Sequence, residues 1–421
     1  MNASTVGFAG LSHLGICYSL AAAARGFAVV AFDARPGVAE SLQIGQFPVS
    51  EPGLVHLWQE RGSAIRYTAD ISALARCSLI FLTLDVATDD ANQSDLGPLA
   101  SLIAAVHEVA PEVPLVIMSQ VPPGYCRTLS ARSSGRLFYQ VETLVFGNAI
   151  ERAIRPERYM VGCADPQAAL PDEYRWYLES FECPILMMRF ESAELCKIAI
   201  NCFLVSSVST SNTLAEICEK IGADWGEIVP ALRLDRRIGP HAYLSPGLGI
   251  AGGNLERDLA TVQKLAAENG CDARVVSAWQ ANSAYRRDWI LRMLFELGLL
   301  KGPATTMLGV WGLAYKQDTH ATRNSPSLAL LRTLSAYQWQ AYDPAAKIDE
   351  GFPQVRVFNS ALEAVRGCDA LVIMTPWKEF SSVPLQQVQA AMRGVTILDP
   401  YGALDSVESE KLGIKYYRLG N

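Results

Sequence analysis

The sequence predicts an α/β protein made of two doubly wound, Rossmann-like domains joined by a long central helix. Three observations carry this: a glycine turn between two apolar runs near the start, a mostly helical middle, and a second series of short apolar runs toward the end. Short buried runs separated by helical segments are the pattern of a parallel sheet covered on both faces. At 421 residues, 50% of them hydrophobic, the chain can fill more than one core.

Thr5–Ala9 (TVGFA) reads as the first strand, the Ala-rich stretch through Arg25 as a helix, and Phe27–Phe32 (FAVVAF) as the second strand, ending at Asp33. Between strand and helix, Gly10, Ser12, His13, Leu14 and Gly15 form a GxSxxG variant of the dinucleotide fingerprint. Glycines there permit a tight turn and let a pyrophosphate approach the amides of a helix N-terminus. Ser12 replaces the glycine nearest the pyrophosphate, which weakens the match but adds only a small side chain. Asp33 lies close to the roughly 20-residue spacing expected of an acid that takes both ribose hydroxyls. A carboxylate there repels a 2′-phosphate, so NAD is expected rather than NADP. The plain alternative is that Gly15 only permits helix-on-sheet contact and Asp33 only caps a loop.

Leu79–Leu84 (LIFLTL) and Leu115–Ser119 (LVIMS) read as further buried parallel strands. From Ser192 to about Asn282 the pattern is helical, broken by the glycine-rich stretch Ser245–Asp258 (SPGLGIAGGNLERD). The second βα series starts at Thr306 (TMLGVWGLAY), continues through Trp339–Tyr342 and Ala370–Met374, and reaches Val395–Leu398.

A formal net charge of -7 argues against a dedicated nucleic-acid or membrane-surface binder, while local amides and arginines still suit an anionic nucleotide. The 10 cysteines are scattered without a CxxC pair, as expected of reduced thiols rather than disulfides or a metal site. No uninterrupted apolar run of about 20 residues and no basic-then-apolar leader is visible, so a soluble, cytoplasmic protein is expected.

Several motifs in one order resemble the UDP-glucose/GDP-mannose dehydrogenase family over nearly the whole chain. They are GQFPVSEPGL at Gly45–Leu54, SQVPPG at Ser119–Gly124, AELCKIAIN at Ala193–Asn201, LDRRIG at Leu234–Gly239, GLAYKQDT at Gly312–Thr319, TRNSP at Thr322–Pro326 and AYDP at Ala341–Pro344. The resemblance implies an NAD-binding domain over residues 1–190, a helical dimerisation region with the active-site loop over 191–295, and a nucleotide-sugar domain over 296–421. It also implies a homodimer, a UDP-sugar in preference to a GDP-sugar, no metal, and a reaction at the sugar's C6.

In that family, a lysine and an asparagine at the positions of Lys197 and Asn201 stabilise the reacting oxygen. Four apart on a helix, they share a face; the plain alternative is a solvated lysine with an asparagine facing the loop. Asp258 matches the aspartate that assists proton transfer; alternatively it is the N-cap of a helix beginning at Leu259. Glu142, in VETLVFG, matches a glutamate close to the reacting carbon, but its family neighbours have become Val141, Thr143, Val145 and Phe146. Gln120 stands where the family has a threonine that orients water. Asn254, four before Asp258, stands where it has the cysteine that captures the aldehyde. An amide cannot form that covalent adduct. Cys196 and Cys202 flank the Lys197/Asn201 face but point elsewhere.

The resemblance assigns Ser119 and Arg323 to the cofactor, and Arg237, His241, Lys316 and the loop glycines Gly249, Gly252 and Gly253 to the nucleotide sugar. His241, His320, Tyr401 and Gly402 depart from the family's usual residues. The pattern keeps the residues of the first oxidation and loses those of the second. It therefore predicts an NAD-dependent two-electron oxidation at C6 to an aldehyde. The alternatives are full four-electron oxidation to a uronic acid, an internal-redox epimerase or eliminase, and a non-catalytic nucleotide-sugar-binding paralogue.

Overall fold

The computed structural model describes residues 5–87, 89, 94–130, 136–250, 253–303, 305–348 and 350–421; at 253 and 254 only the backbone is described. Contacts divide the chain into two compact units, Met1–Ile200 and Asn201–Asn421.

The strands of the first unit are β1 (Thr5–Ala9), β2 (Ala28–Phe32), β3 (Ile65–Thr68), β4 (Leu79–Leu82), β5 (Leu115–Ile117), β6 (Leu137–Gln140), β7 (Tyr159–Cys163) and β8 (Ile185–Arg189). They form one sheet in the order β3-β2-β1-β4-β5-β6-β7-β8. All pairs are parallel except β6 with β7. Both faces are covered, so β1, β2 and β4 are nearly continuous apolar runs. β6 to β8 escape a periodicity reading because β8 is half-exposed and β6 ends in the buried polar Gln140, whose Oε1 accepts from the Tyr174 hydroxyl.

The second unit repeats the plan. Its strands, β9 (Met307–Trp311), β10 (Gln338–Tyr342), β11 (Val355–Val357), β12 (Ala370–Ile373), β13 (Thr396–Leu398) and β14 (Lys415–Tyr417), pair in parallel in the order β11-β10-β9-β12-β13-β14. Read from its own first strand, this is the 3-2-1-4-5-6 order, which the first six strands of the other unit also follow. Each sheet therefore has a switch point, between β1 and β4 and between β9 and β12, where ligands of such sheets bind.

The duplication extends to single hydrogen bonds. At the end of β1, Leu11 N–H donates to the Asp33 carboxylate (2.7 Å), and the Thr83 hydroxyl donates to Gly10 O (2.7 Å). At the end of β9, Leu313 N–H donates to Asp343 in the same way (2.6 Å), whereas the threonine contact is shifted: Thr375, one residue further along than Thr83, donates to Ala314 O (2.6 Å), two residues past Gly312. Gly10 and Gly312 both have positive φ, at 94° and 93°. A Cβ on Gly312 would lie 2.5 Å from Thr375, so the turn admits only glycine.

The predicted central helix is one helix of 32 residues, Phe190–Ile221, crossing the boundary of the two units. Its most apolar window has a mean hydropathy of 1.2, enough by length and composition to cross a membrane, although no apolar run in it is uninterrupted. Polar residues buried along it are held by protein: Glu194 accepts Gly124 and Cys126 N–H, and Asn212 accepts Gly247 N–H. Helix Trp289–Glu296, at the end of the expected helical region, packs Trp289, Ile290 and Leu294 into the core under β9 and β10.

Candidate active site

The glycine turn of the first unit is built for an anion. A Cβ on Gly15 would fall 2.2 Å from Gly10 O, and one on Gly10 2.9 Å from Leu84 N. Helix His13–Ala24 starts directly at the turn, and the Ser12 side chain does not cap it. Its first-turn N–H groups therefore keep their donor capacity for a ligand. Ser12 Oγ donates instead to Thr83 O (2.7 Å), which draws the extra side chain down onto β4. These features fit a dinucleotide pyrophosphate.

His13 lies over the same turn. Its Nε2 is 2.8 Å from Glu51, and its ring stacks on Phe146 with centroids 4.4 Å apart. Glu51 also accepts Gly147 and Ala149 N–H, which ties the segment after β6 to the turn. Leu14 is buried in the core, so only its backbone faces a ligand. The Ser119 hydroxyl donates to Leu84 O (2.6 Å) and fixes the loop after β5 beside the loop after β4.

Two charged residues here were not singled out from the sequence. Arg35 forms a forked contact with Asp33, through Nε at 2.9 Å and Nη2 at 2.8 Å. Burial pushes the Asp33 carboxyl up, but the Arg35 side chain and the Arg35 and Leu11 N–H groups outweigh it and leave it below the ordinary range. Asp85 stands just beyond β4, open to solvent on one side and crowded by protein on the others. That crowding raises its carboxyl, against the lowering effects of Ser12 and His13 and with a smaller upward push from Glu142. Arg35 was legible as a basic residue two after the ribose acid; Asp85 has no sequence signal beyond an acid ending a strand.

Further along the same unit, Lys197 Nζ donates to Glu142 O (2.9 Å) and pairs with Glu142 Oε2 (3.2 Å). Both side chains are mostly buried, at 15% and 21% exposure. The Glu142 carboxylate also accepts Leu144 N–H, which fixes the segment after β6. Gln120, half-buried, opens the Pro-Pro-Gly turn after β5.

In the second unit, Asn201 Nδ2 donates to Asp258 Oδ2 at 2.5 Å, with Asp258 1% exposed. Arg257, also buried, has Nε 3.6 Å from Asp258 Oδ1. The alternative reading of Asp258 as the N-cap of a helix beginning at Leu259 is corrected. The helix runs Gly253–Asn269, so Asp258 sits inside it and its carboxylate serves Asn201. The two glycines 252 and 253 favour a break on paper, but the helix starts within the loop. Positions 254 and 258 are consequently one turn apart on it. The Asn254 side chain and Gly252 lie outside the described residues.

Gly249 has φ 75°, and a Cβ there would meet Ser283 O at 2.4 Å. The Ser283 hydroxyl accepts Ile250 N–H (2.7 Å), anchoring the loop. Arg237 is exposed and forked onto Asp235, its Nη2 at 2.6 Å. His241 is exposed and lines a groove with Val208, Arg233 and Tyr243. Lys316 Nζ lies 5.8 Å from the Tyr315 ring centre. Exposed Arg323 lies in the segment before helix Pro326–Thr333, near Glu256. Burial raises the Glu256 carboxyl, and Arg287, Asn324 and Arg323 oppose that. The described residues contain no cluster of metal-ligating side chains.

Neither cysteine beside the Lys197/Asn201 face has the surroundings of an activated thiol. The Cys196 thiol lies 3.4 Å from Met160 Sδ and is raised by burial. Burial and then the Asp258 charge raise Cys202, which packs against Val205 and Ile250. A raised thiol is a poor nucleophile.

Profiles of the UDP-glucose/GDP-mannose dehydrogenase family match three stretches: its NAD binding domain over residues 4–179, its central domain over 191–284 and its UDP binding domain over 309–406. A UDP-glucose 6-dehydrogenase of Pseudomonas aeruginosa is 28% identical over 406 residues, covering 90% of this chain and 89% of that protein. The UDP-glucose 6-dehydrogenase TuaD of Bacillus subtilis is 28% identical over 431 residues, covering 98% and 92%. Among solved structures, a UDP-glucose dehydrogenase from Pyrobaculum islandicum superposes with a TM-score of 0.84 at 23% identity, covering 99% of this chain and 97% of that one. A UDP-D-ManNAc dehydrogenase from Pyrococcus horikoshii gives 0.83 at 23% identity, covering 99% of both chains.

Proposed function

Since the chain belongs to the UDP-glucose/GDP-mannose dehydrogenase family and carries its NAD-binding domain, we propose that it oxidises a UDP-sugar at C6 by two electrons, releasing an aldehyde or its hydrate. NAD, when bound, supplies the hydride acceptor. The observation that carries the reading is the pairing of two candidate catalytic residues with acids, Lys197 with Glu142 and Asn201 with Asp258.

Lys197 and Asn201 lie one turn apart on the central helix. In this reading the Lys197 ammonium and the Asn201 amide donate to the C6 oxygen as it loses its proton and gathers charge. Preorganised donors of this kind are worth most where water is excluded. Asp258 orients the Asn201 amide, and either Asp258 or Glu142 relays the departing proton. Gly10, Ser12, His13, Leu14 and Gly15 seat the dinucleotide with Asp33 and Ser119. Arg237, His241, Lys316 and the loop glycines 249, 252 and 253 belong to the nucleotide-sugar side, and Arg323 is read as a cofactor residue.

The reaction stops at the aldehyde because Asn254, read as occupying the thiol position, offers no nucleophile, and Gln120 replaces the water-orienting threonine. The raised Cys196 and Cys202 thiols support this, since neither is poised to substitute. A homodimer is supported by apolar side chains exposed on the central helix, with Phe203 76% and Ile221 71% exposed.

Single-turnover product analysis by mass spectrometry, with UDP- and GDP-sugars and a hydroxylamine trap, tests the proposal. A trapped oxime at one NADH per sugar is expected. A uronate with two NADH would refute the two-electron reading, and sugar binding without turnover would favour a non-catalytic paralogue.

A further inference from the structure

We infer that the adenosine end of the dinucleotide site accepts a 2′-phosphate, so that the protein binds NADP as well as NAD. This rests on the reading of the glycine turn as a dinucleotide site and concerns one side chain, Arg35.

Asp33 is saturated. Its Oδ1 accepts the Arg35 N–H and Nε at 2.9 Å each, and its Oδ2 accepts the Leu11 N–H at 2.7 Å and Arg35 Nη2 at 2.8 Å. An ionised carboxylate offers about four acceptor positions, and four donors fill them. A ribose diol needs two of those positions, and the two backbone donors cannot leave. NAD must therefore displace the Arg35 guanidinium.

A 2′-phosphorylated ribose meets a different balance. The carboxylate that would repel the phosphate is neutralised by a forked cation at hydrogen-bond distance. The Arg35 side chain is 58% exposed, open to solvent at the rim of the site. Three of the five guanidinium donors are engaged, Nε and Nη2 by Asp33 and Nη2 also by Leu11 O (3.2 Å), which leaves the two N–H groups of Nη1 for phosphate oxygens, and an arginine near the ribose acid is how such sheets accommodate a 2′-phosphate. The matching acid of the second unit, Asp343, marks the contrast. It accepts Leu313 and Ala314 N–H and the Trp377 Nε1–H (3.2 Å), with no hydrogen bond to a cation. The acid and its leucine amide belong to the shared architecture, whereas Arg35 is particular to the first site.

Equilibrium binding of NAD and NADP to the full-length protein, by isothermal titration calorimetry at fixed salt, tests the inference without turnover. NADP is expected to bind within about tenfold of NAD. Arg35→Ala should weaken NADP at least about tenfold, the usual cost of a charged hydrogen bond, while leaving NAD unchanged or tighter because Asp33 is freed. Arg35→Lys should recover part of the NADP affinity, and thermal melts should show each variant folded. NADP binding more than tenfold weaker than NAD, or equal weakening of both dinucleotides in Arg35→Ala, would overturn the inference. Binding of neither by the native protein would instead remove the dinucleotide-site reading, and this inference with it.

Discussion

Replacing Lys197 with methionine separates a catalytic lysine from a structural one. The substitution keeps the length of the side chain but removes its contacts at 2.9 and 3.2 Å with Glu142. A hydrogen bond to a charged group contributes about 1.5–3 kcal/mol, and residual exposure of 15% and 21% pulls this toward the lower end, about 1–2 kcal/mol. For a unit of this size the melting temperature should fall by about 2–8 °C. A domain with about 5–15 kcal/mol of stability stays folded under that loss, so unfolding cannot reduce activity appreciably. Removing one donor to a developing oxyanion, by contrast, costs about a hundred- to a thousandfold in kcat. The assay is stopped-flow NADH formation at saturating sugar, with a melt of the same preparation. If kcat fell less than about tenfold, Lys197 would be only the structural partner of Glu142.

Three further outcomes are expected. Gly15→Ala places a methyl 2.2 Å from Gly10 O, so dinucleotide binding by calorimetry should be lost while UDP binding survives. Crowding raises the Asp85 carboxyl, so below its native pKa it is neutral and does not oppose the pyrophosphate, whereas above it the charge repels. NAD affinity should therefore fall as pH rises through that value, and Asp85→Asn should tighten binding at neutral pH and flatten the profile; an unchanged profile would exclude Asp85 from the site. Asn254→Cys should shift product from aldehyde toward uronate, with NADH per sugar rising above one by mass spectrometry and absorbance.

The parallel strands could be read from sequence because both faces of each are buried, which leaves apolar runs such as LIFL and ALVI. β8 could not, since its burial is partial and its partner β7 is reached through an antiparallel turn of the sheet. Lys197 with Asn201 was legible because helical spacing alone sets their relation. Glu142 and Asp258 were named from the resemblance, but their pairing with Lys197 and Asn201 was not legible, because they are brought in from 55 and 57 residues away. The start of helix Gly253–Asn269 was misread for a local reason: propensity penalises glycine, and the favourable run that follows it carries the helix back into the loop.

The duplicated turn changes what the ribose acid means. Asp33 and Asp343 both end the second strand of their sheets, and both hold a leucine amide of the glycine turn. The position is therefore required by the turn itself, because the buried amide needs an acceptor whatever ligand is bound. An acid at this spacing is evidence for the fold first and for a ribose only second. What distinguishes the two turns lies in the residues after them. Helix His13–Ala24 begins at once in the first unit and presents its amides. In the second, residues 315–325, including Lys316 and Arg323, come before helix Pro326–Thr333. The same strand order thus leaves one turn followed at once by a helix N-terminus and the other by a longer segment that carries cations. Arg35 belongs to that distinguishing set, and its substitution is accordingly expected to alter cofactor choice while leaving the sheet intact.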